Sequence, residues 1–478
     1  MANLAVPAAS HTAVPYKVAT ACAISFLAIA VFIGGCATTT EVEEIEPTFE
    51  LPEDWHEQDL DGEVFDEGWC EEFGDPMLGR LIEIVLEHNL DLRVAKTRIE
   101  EARALLAQSR SRRHPQVSLQ GMAEVEHGPD GWEEGYEISV PASYEVDLWG
   151  RIASEISASE TELVAAESDL MALRIALAAE TAEQYYELAR IRSEIRLVED
   201  QIEVATTFLE LTKVRHAQGM ANAIDVVQQQ QRIEELRELH RAAELDERLA
   251  LNGLAVLMGQ PPGEVEAASA QTLPEVLPPV ADFLPGDLLE RRPDVFAARL
   301  RVIAADERID AALAERLPRL HLSASLSLQA MNVTELFDFL FSSVAGAFSQ
   351  TLWDGGRTQG RIEEEAAVKQ RQLLTFSSVL LDAIREVEDT MARGQALYEI
   401  SRIQQKQLAA AQEALELARV QYRAGILDYL RVLTALQSVQ ALESAELDNR
   451  RVLLSQRIQL CRASGGYWPS PSADEDGS

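Results

Sequence analysis

The residues able to do chemistry are few and scattered. The chain has 8 histidines and 4 cysteines, but no HExxH, no CxxC and no histidine cluster, so the spacings that hold a metal are missing. Its 80 acidic residues place carboxylate pairs almost everywhere, and at that density a pair says nothing about acid–base catalysis. No nucleophile–base constellation stands out. Asp354-Gly355-Gly356-Arg357 has the glycines of a phosphate-binding turn, yet it lacks the P-loop lysine pattern and reads as a strand-to-helix corner. We therefore expect no enzyme, no metal site and no bound cofactor. What remains is thiol chemistry at three positions. Cys36 directly follows an apolar run and two glycines, as in a cysteine that accepts lipid. Cys70 and Cys461 are a candidate disulfide in an oxidising compartment, or two small buried residues.

The amino terminus gives these thiols a compartment. Residues 1–35 contain no acid and one basic residue, Lys17, followed by the apolar run 18–33, the outline of a secretory signal peptide. Ile33-Gly34-Gly35-Cys36 resembles a bacterial lipobox, in which the cysteine is diacylated and becomes the new first residue. The alternatives are an ordinary signal peptide or an uncleaved membrane helix with a chance cysteine. Residues 36–75, acidic after Thr38-Thr39-Thr40, read as a lipid-anchored tether, and Ala37 in place of aspartate points to sorting to the outer membrane. No other apolar run approaches the roughly 20 residues of a spanning helix, so any further membrane contact must come from strands. The formal net charge of -38 argues against nucleic acid or anionic lipid as a general partner.

Two long stretches organise the remainder. Residues 151–218 contain neither proline nor glycine, enough for an unbroken helix of roughly 100 Å. Ile156, Leu163, Leu170, Leu177, Gln184, Ile191, Val198 and Ala205 recur every seven residues, the period of left-handed coiled-coil packing. Residues 357–424 form a second such run, interrupted only by Gly360 and Gly394. Before each run the period falls to two, the mark of a strand with one apolar face. Val117, Leu119, Gly121, Ala123 and Val125 form one strand, and Tyr136, Ile138, Val140, Ala142, Tyr144 and Val146 its hairpin partner. Leu320 to Leu328 alternate in the same way, and a fourth strand covers 342–352.

The order repeats. Asp91 to Pro115 is echoed 203 residues later by Asp294 to Pro318, and Gly219 is echoed by Gly425. The expected division is a first repeat, 76–263, made of one helix from Pro76 to about Arg113, a hairpin at 115–149, a long helix at 151–218 and a return helix at 223–258. A linker, 264–284, leads to a second repeat, 285–468, with a hairpin at 318–353, a long helix at 357–424 and a return helix at 427–462; 469–478 is an acidic tail. Four strands with one apolar face leave their edges unsatisfied in a membrane, so several copies must close a barrel. Three copies give twelve strands, within the known range. A soluble sheet on a coiled-coil stalk is the alternative.

Phe73-Gly-Asp-Pro-Met-Leu78, Tyr144-Glu-Val-Asp-Leu-Trp-Gly-Arg151, Leu257-Met-Gly-Gln-Pro-Pro-Gly263, Leu288-Leu-Glu-Arg-Arg-Pro-Asp294, Tyr422-Arg-Ala-Gly425 and Gly465-Gly-Tyr-Trp468 together resemble the lipoprotein (NodT/OprM-like) branch of the TolC-like outer-membrane efflux factors. The resemblance implies a mixed α and transmembrane-β fold. Long coiled-coil hairpins would form a periplasmic tunnel, and four strands per protomer would build a trimeric, twelve-stranded outer-membrane barrel. It further implies an exit duct for small toxic compounds, lipid-anchored through Cys36, partnered by a periplasmic adaptor and an inner-membrane transporter of the RND type. The rival readings are the duct of a type I protein secretion system and a non-conducting envelope lipoprotein. By resemblance the gate lies where each long helix turns into its return helix, at Gly219 and Gly425, with Asp225 and Tyr422 in the contact that holds it shut. Asp225 reads equally as a helix-cap residue. Relatives often place an aspartate where this chain has Thr434, which leaves open whether a carboxylate ring closes the tip; Asp428 lies nearby.

Overall fold

The computed structural model describes residues 45–55, 75–128, 131–263, 273–274 and 283–466. The chain divides into units 1–46 and 47–478, and every helix and strand described belongs to the second. The signal peptide, Cys36, Cys70, most of the tether and linker, and the tail fall outside the described residues.

Helix α1 (Pro76–His88) starts at an aspartate cap, with Asp75 Oδ1 accepting from the amides of Met77 at 2.9 Å and Leu78 at 3.4 Å. It buries Leu78, Leu81, Ile82 and Val85 against the alanines and tyrosines of the first long helix. The expected single helix from Pro76 to about Arg113 is in fact two, because Asn89 breaks it and α2 runs from Leu90 to Ser111. The asparagine side chain makes three hydrogen bonds at the break. Its Oδ1 accepts from the amides of Asp91 (2.9 Å) and Leu92 (3.2 Å), capping α2, and its Nδ2 donates to the Leu257 carbonyl at 2.9 Å. Helical periodicity continues on both sides of Asn89, so the sequence pattern conceals the break.

Beyond the strands, α3 (Arg151–Ala217) and its return helix α4 (Ala223–Leu257) form the first helical hairpin. In the second repeat, α5 (Leu288–Arg291) and α6 (Pro293–Ala314) precede two strands, and then come α7 (Arg357–Arg423) and α8 (Tyr429–Ala463). The two long helices have 67 residues each and the two return helices 35 each, so the halves match in length. The seam of α3 is buried at Ile156, Leu177, Ile191, Val198, Ala205 and Leu209.

Where a return helix ends, it meets the break in the preceding short helices. Gly259 has φ +69°, and a Cβ there would collide with the His88 carbonyl; Gly465 has φ +92°, and a Cβ there would collide with the Arg291 carbonyl. Glycine is needed at both positions for conformation and for space. In the second repeat Arg292 stands in the place of Asn89. Its guanidinium is buried and bonds to Asp294 at 2.7 Å, to Glu386 of α7 at 2.8 Å and to the Ala463 carbonyl at 3.2 Å. Burial works against its charge, but these carboxylates outweigh burial and raise its pKa; for Asp294, burial is likewise outweighed by Arg292, which holds the carboxyl below the usual range.

The sheet is antiparallel throughout. Strands β1 (Gln116–Val117) and β2 (Gln120–Gly128) both pair with β3 (Gly131–Val146), which pairs with β4 (Arg319–Ala330), which pairs with β5 (Leu340–Ser349). The alternation predicts one strand where β1 and β2 lie. The interruption falls opposite Pro141, which accepts from the Ser118 amide at 3.1 Å but has no N–H to return the bond. The fourth strand also begins and ends earlier than the expected 342–352. Register aligns like with like: Ile138, Val140, Ala142, Tyr144 and Val146 face Leu328, Leu326, Ala324, Leu322 and Leu320. The other face pairs Ser139, Ser143 and Glu145 with Ser327, Ser323 and His321. No helix among the described residues is long and apolar enough to cross a membrane.

Arg292→Ala leaves the part-exposed Asp294 without its guanidinium and takes one of two arginines from Glu386, which keeps Arg462 at 3.3 Å, and we expect a loss of about 1–3 kcal/mol in thermal or denaturant unfolding of the full chain. The Asp294 contribution, with its folded pKa depressed, is present above about pH 4 and fades as pH falls through the lower folded value. An acid-unfolding midpoint identical in wild type and variant would contradict this pairing.

Candidate functional site

The turns of the two helical hairpins carry most of the residues singled out by sequence. Gly219 and Gly425 each have φ +74° and end α3 and α7. The amides of Met220 and Ile426 reach back to the carbonyls of Arg215 and Gln421, both at 2.9 Å, so each turn satisfies the last helical carbonyls through a left-handed glycine. Asp225 sits in the first turn of α4 and accepts from the Asn222 amide at 3.0 Å. Asp428 caps α8, accepting from the Arg431 amide at 3.1 Å. Within the protomer both carboxylates are engaged in capping. Thr434 is exposed, and its hydroxyl donates to the Leu430 carbonyl at 2.9 Å.

Tyr422 is buried, and around it the two hairpins meet. Arg215 of α3 stacks on the Tyr422 ring, 4.2 Å from its centroid, and donates to the Tyr422 carbonyl at 2.9 Å. Tyr422 lies edge-on to Tyr429, with ring centroids 6.2 Å apart. The Tyr429 hydroxyl donates to Gln229 Oε1 of α4, and Gln229 Nε2 donates to the Ala205 carbonyl at 2.7 Å. Burial, with the nearby Tyr422 and Asp225, pushes the Tyr429 phenol well above its ordinary pKa, so it stays protonated as a donor. Farther from the turn, Arg232 of α4 donates to Gln440 of α8 at 2.8 Å. Burial also raises the Glu443 carboxyl, with Glu446 and Asp200 adding to the effect and Gln201 opposing it. An apolar cluster backs these bonds, with Leu415, Val432, Leu433 and Leu436 packed against Val204 and Phe208 of α3.

Three cross-hairpin pairs thus join the first hairpin to the second: Arg215 with Tyr422, Gln229 with Tyr429, and Arg232 with Gln440. Sequence reasoning names Tyr422 and misses the other five. Gln229 lies within four consecutive glutamines, 228–231, and nothing in its type or spacing sets it apart. The arginines are unremarkable on helices rich in charge. Such an arrangement can hold two helical hairpins together through bonds that can break and form again. Cys461 is buried near the end of α8, and Cys70, the other cysteine of the candidate disulfide, lies outside the described residues.

Comparison with known proteins agrees with this geometry. The family model described as Outer membrane efflux protein matches residues 81–260 and 284–466. The chain is 28% identical over 462 residues to Outer membrane protein OprJ of Pseudomonas aeruginosa, covering 93% of this chain and 96% of OprJ. It is 26% identical to the probable efflux pump outer membrane protein TtgC of Pseudomonas putida, covering 92% of this chain and 95% of TtgC. The structure is similar to the crystal structure of the outer membrane protein VceC from Vibrio cholerae, with a TM-score of 0.77 and 28% identity, covering 83% of this chain and 98% of that one. With its duplicated helical hairpins, antiparallel strands and family match through both repeats, the chain belongs to the outer membrane efflux protein family.

Proposed function

We infer that the protein is the outer-membrane exit duct of a tripartite efflux pump, conducting small toxic compounds passively and closing at its hairpin turns. One observation carries this reading. The sheet presents an apolar face across β3 and β4 while its outer edges, along β2 and β5, have no strand partner within the described protomer. Lipid cannot satisfy an open edge, so a spanning sheet must be closed by further copies. A homotrimer supplies twelve strands. The helical hairpins, roughly 100 Å long at 1.5 Å per residue, then continue the conduit into the periplasm. There a periplasmic adaptor engages it, and an inner-membrane transporter of the RND type delivers the cargo. The naming of TtgC as an efflux pump protein favours small compounds over a secreted protein. Cys36 carries the lipid, and the covalent anchor adds hold on a membrane that the barrel already spans.

The gate follows from the three cross-hairpin pairs. They link residues far apart in sequence, so separating the hairpins near the turns costs these hydrogen bonds and the apolar contacts of Val204 and Phe208 behind them, and breaks no helix. In the pump, adaptor binding would favour the separated arrangement and supply the difference.

Purified full-length protein should run as a heat-modifiable trimer and give discrete ion-conducting steps in planar bilayers; a trimer that never conducts would favour a structural lipoprotein. Gln229→Leu leaves the Tyr429 hydroxyl buried without its acceptor, weakening the closed arrangement by about 1–2 kcal/mol. The open fraction should rise roughly tenfold, since 1.4 kcal/mol is a factor of ten. An unchanged open fraction would remove this contact from the gate. Deleting the gene should sensitise the host to some toxic compounds that the pump exports.

A further inference from the structure

The junction between the two repeats shows what the free edges of the sheet lack. Within the protomer β3 of the first repeat pairs with β4 of the second, setting Tyr144 opposite Leu322, Ala142 opposite Ala324 and Val140 opposite Leu326. Just beyond this ladder the Trp149 indole N–H donates to the Pro318 carbonyl at 2.7 Å and ties the end of β3 to the start of β4. Duplication puts the same parts on the two outer edges. Tyr144-Glu-Val-Asp-Leu-Trp149 is echoed by Phe348-Ser-Gln-Thr-Leu-Trp353, which follows from the end of β5, and Pro318-Arg-Leu-His-Leu322 is echoed by Pro115-Gln-Val-Ser-Leu119 around β1. At these edges the counterparts are uncovered. Trp353 is 88% exposed against 38% for Trp149, Val344 86% against 41% for Val140, and Leu119 74% against 41% for Leu322.

We propose that β5 of one copy pairs with β1 and β2 of the next in the register of the internal junction, and that the Trp353 indole of one copy donates to the Pro115 carbonyl of the next. Phe348 then faces Leu119, Gly346 faces Gly121 and Val344 faces Ala123. The proposal rests on the trimeric duct read above and states how its copies meet. A one-residue slip is excluded because it would turn Leu119, Gly121 and Ala123 to the face opposite Val344, Gly346 and Phe348. Among registers that keep the faces, this one alone satisfies two matches to the internal junction. It sets small against small, Gly346 on Gly121 where the junction has Ala142 on Ala324, and aromatic against leucine, Phe348 on Leu119 where the junction has Tyr144 on Leu322. Indole–carbonyl bonds then alternate within and between protomers around the helical end of the barrel, and a contact local to each protomer becomes a continuous ring.

Cysteine pairs on the polar face test the register in native membranes, in the full-length chain carrying Cys70→Ala and Cys461→Ala. Met122 and Ala345 stand opposite each other in the proposed register. Met122→Cys with Ala345→Cys should oxidise to covalent dimers and trimers at least tenfold faster than Met122→Cys with Ser343→Cys or with Ala347→Cys, because opposed Cβ atoms lie about 4.5–5.5 Å apart and diagonal ones lie beyond disulfide reach. Trp353→Phe keeps an aromatic ring and removes the N–H. It should lower the temperature at which the detergent-solubilised trimer dissociates by several degrees, with helix content by circular dichroism unchanged. An unchanged dissociation temperature would overturn the indole bond. Fastest cross-linking by a shifted pair would overturn the register and leave a trimeric barrel. No cross-linking by any pair, with the same thiols readily modified by a water-soluble reagent, would overturn both the junction and closure by copies. Cross-linking of the proposed pair in a trimer that never conducts would refute the duct and leave the junction.

Discussion

A backbone amide in hydrocarbon must find its partner within protein, and the rest of this molecule depends on that requirement. Each protomer supplies a four-row antiparallel sheet whose inner ladders are complete and whose outer edges are not. The register keeps the apolar set on one face across β3 and β4. A one-residue slip would send every leucine to the polar side, so the burial pattern itself fixes the register. Even the exception obeys the rule. Pro141 cannot donate to the neighbouring strand, and that strand is split opposite it into β1 and β2.

Below the sheet, length is built from stacked parts. No return helix of 35 residues can accompany a 67-residue helix along its whole course. The short helices α2 and α6 pack along the rest of the long helices, and each meets its return helix at a glycine-dependent junction. The two junctions solve one geometric problem with different chemistry. Asn89 uses a neutral amide and Arg292 a buried guanidinium shared by two carboxylates. The duplicated halves therefore differ in what holds them, and the second is the more exposed to loss of charge.

Much of this is legible in the residues. The absence of proline and glycine from 151–218, the heptad seam, the alternation from Leu320 to Leu328 and the echo of Gly219 at Gly425 specify the helices, the strands and the duplication. Breaks made by a side chain are not legible. Asn89 lies inside unbroken helical periodicity; its cap bonds to Asp91 and Leu92 are local, but its tie to the Leu257 carbonyl joins it to a residue distant in sequence. The same limit applies at the turns. Glycines and caps are local and visible, whereas the cross-hairpin pairs join residues about 200 positions apart, and Gln229 looks like its three neighbours. Asp225 shows the difference: its local capping bond is present in the protomer, whereas the Tyr422 hydroxyl, with which it is expected to share the gate contact, has no hydrogen-bond partner there.

The central claim is that the open strand edges are closed by other copies of the same chain. A cysteine-pair scan tests it most directly, with one cysteine placed along β2 and one along β5 on the same face, followed by mild oxidation in native membranes and separation under non-reducing denaturing conditions. Closure by other copies predicts that one register of pairs yields covalent dimers and trimers while pairs shifted out of register do not. Failure of every register to cross-link, with the same cysteines readily modified by a water-soluble reagent, would contradict it.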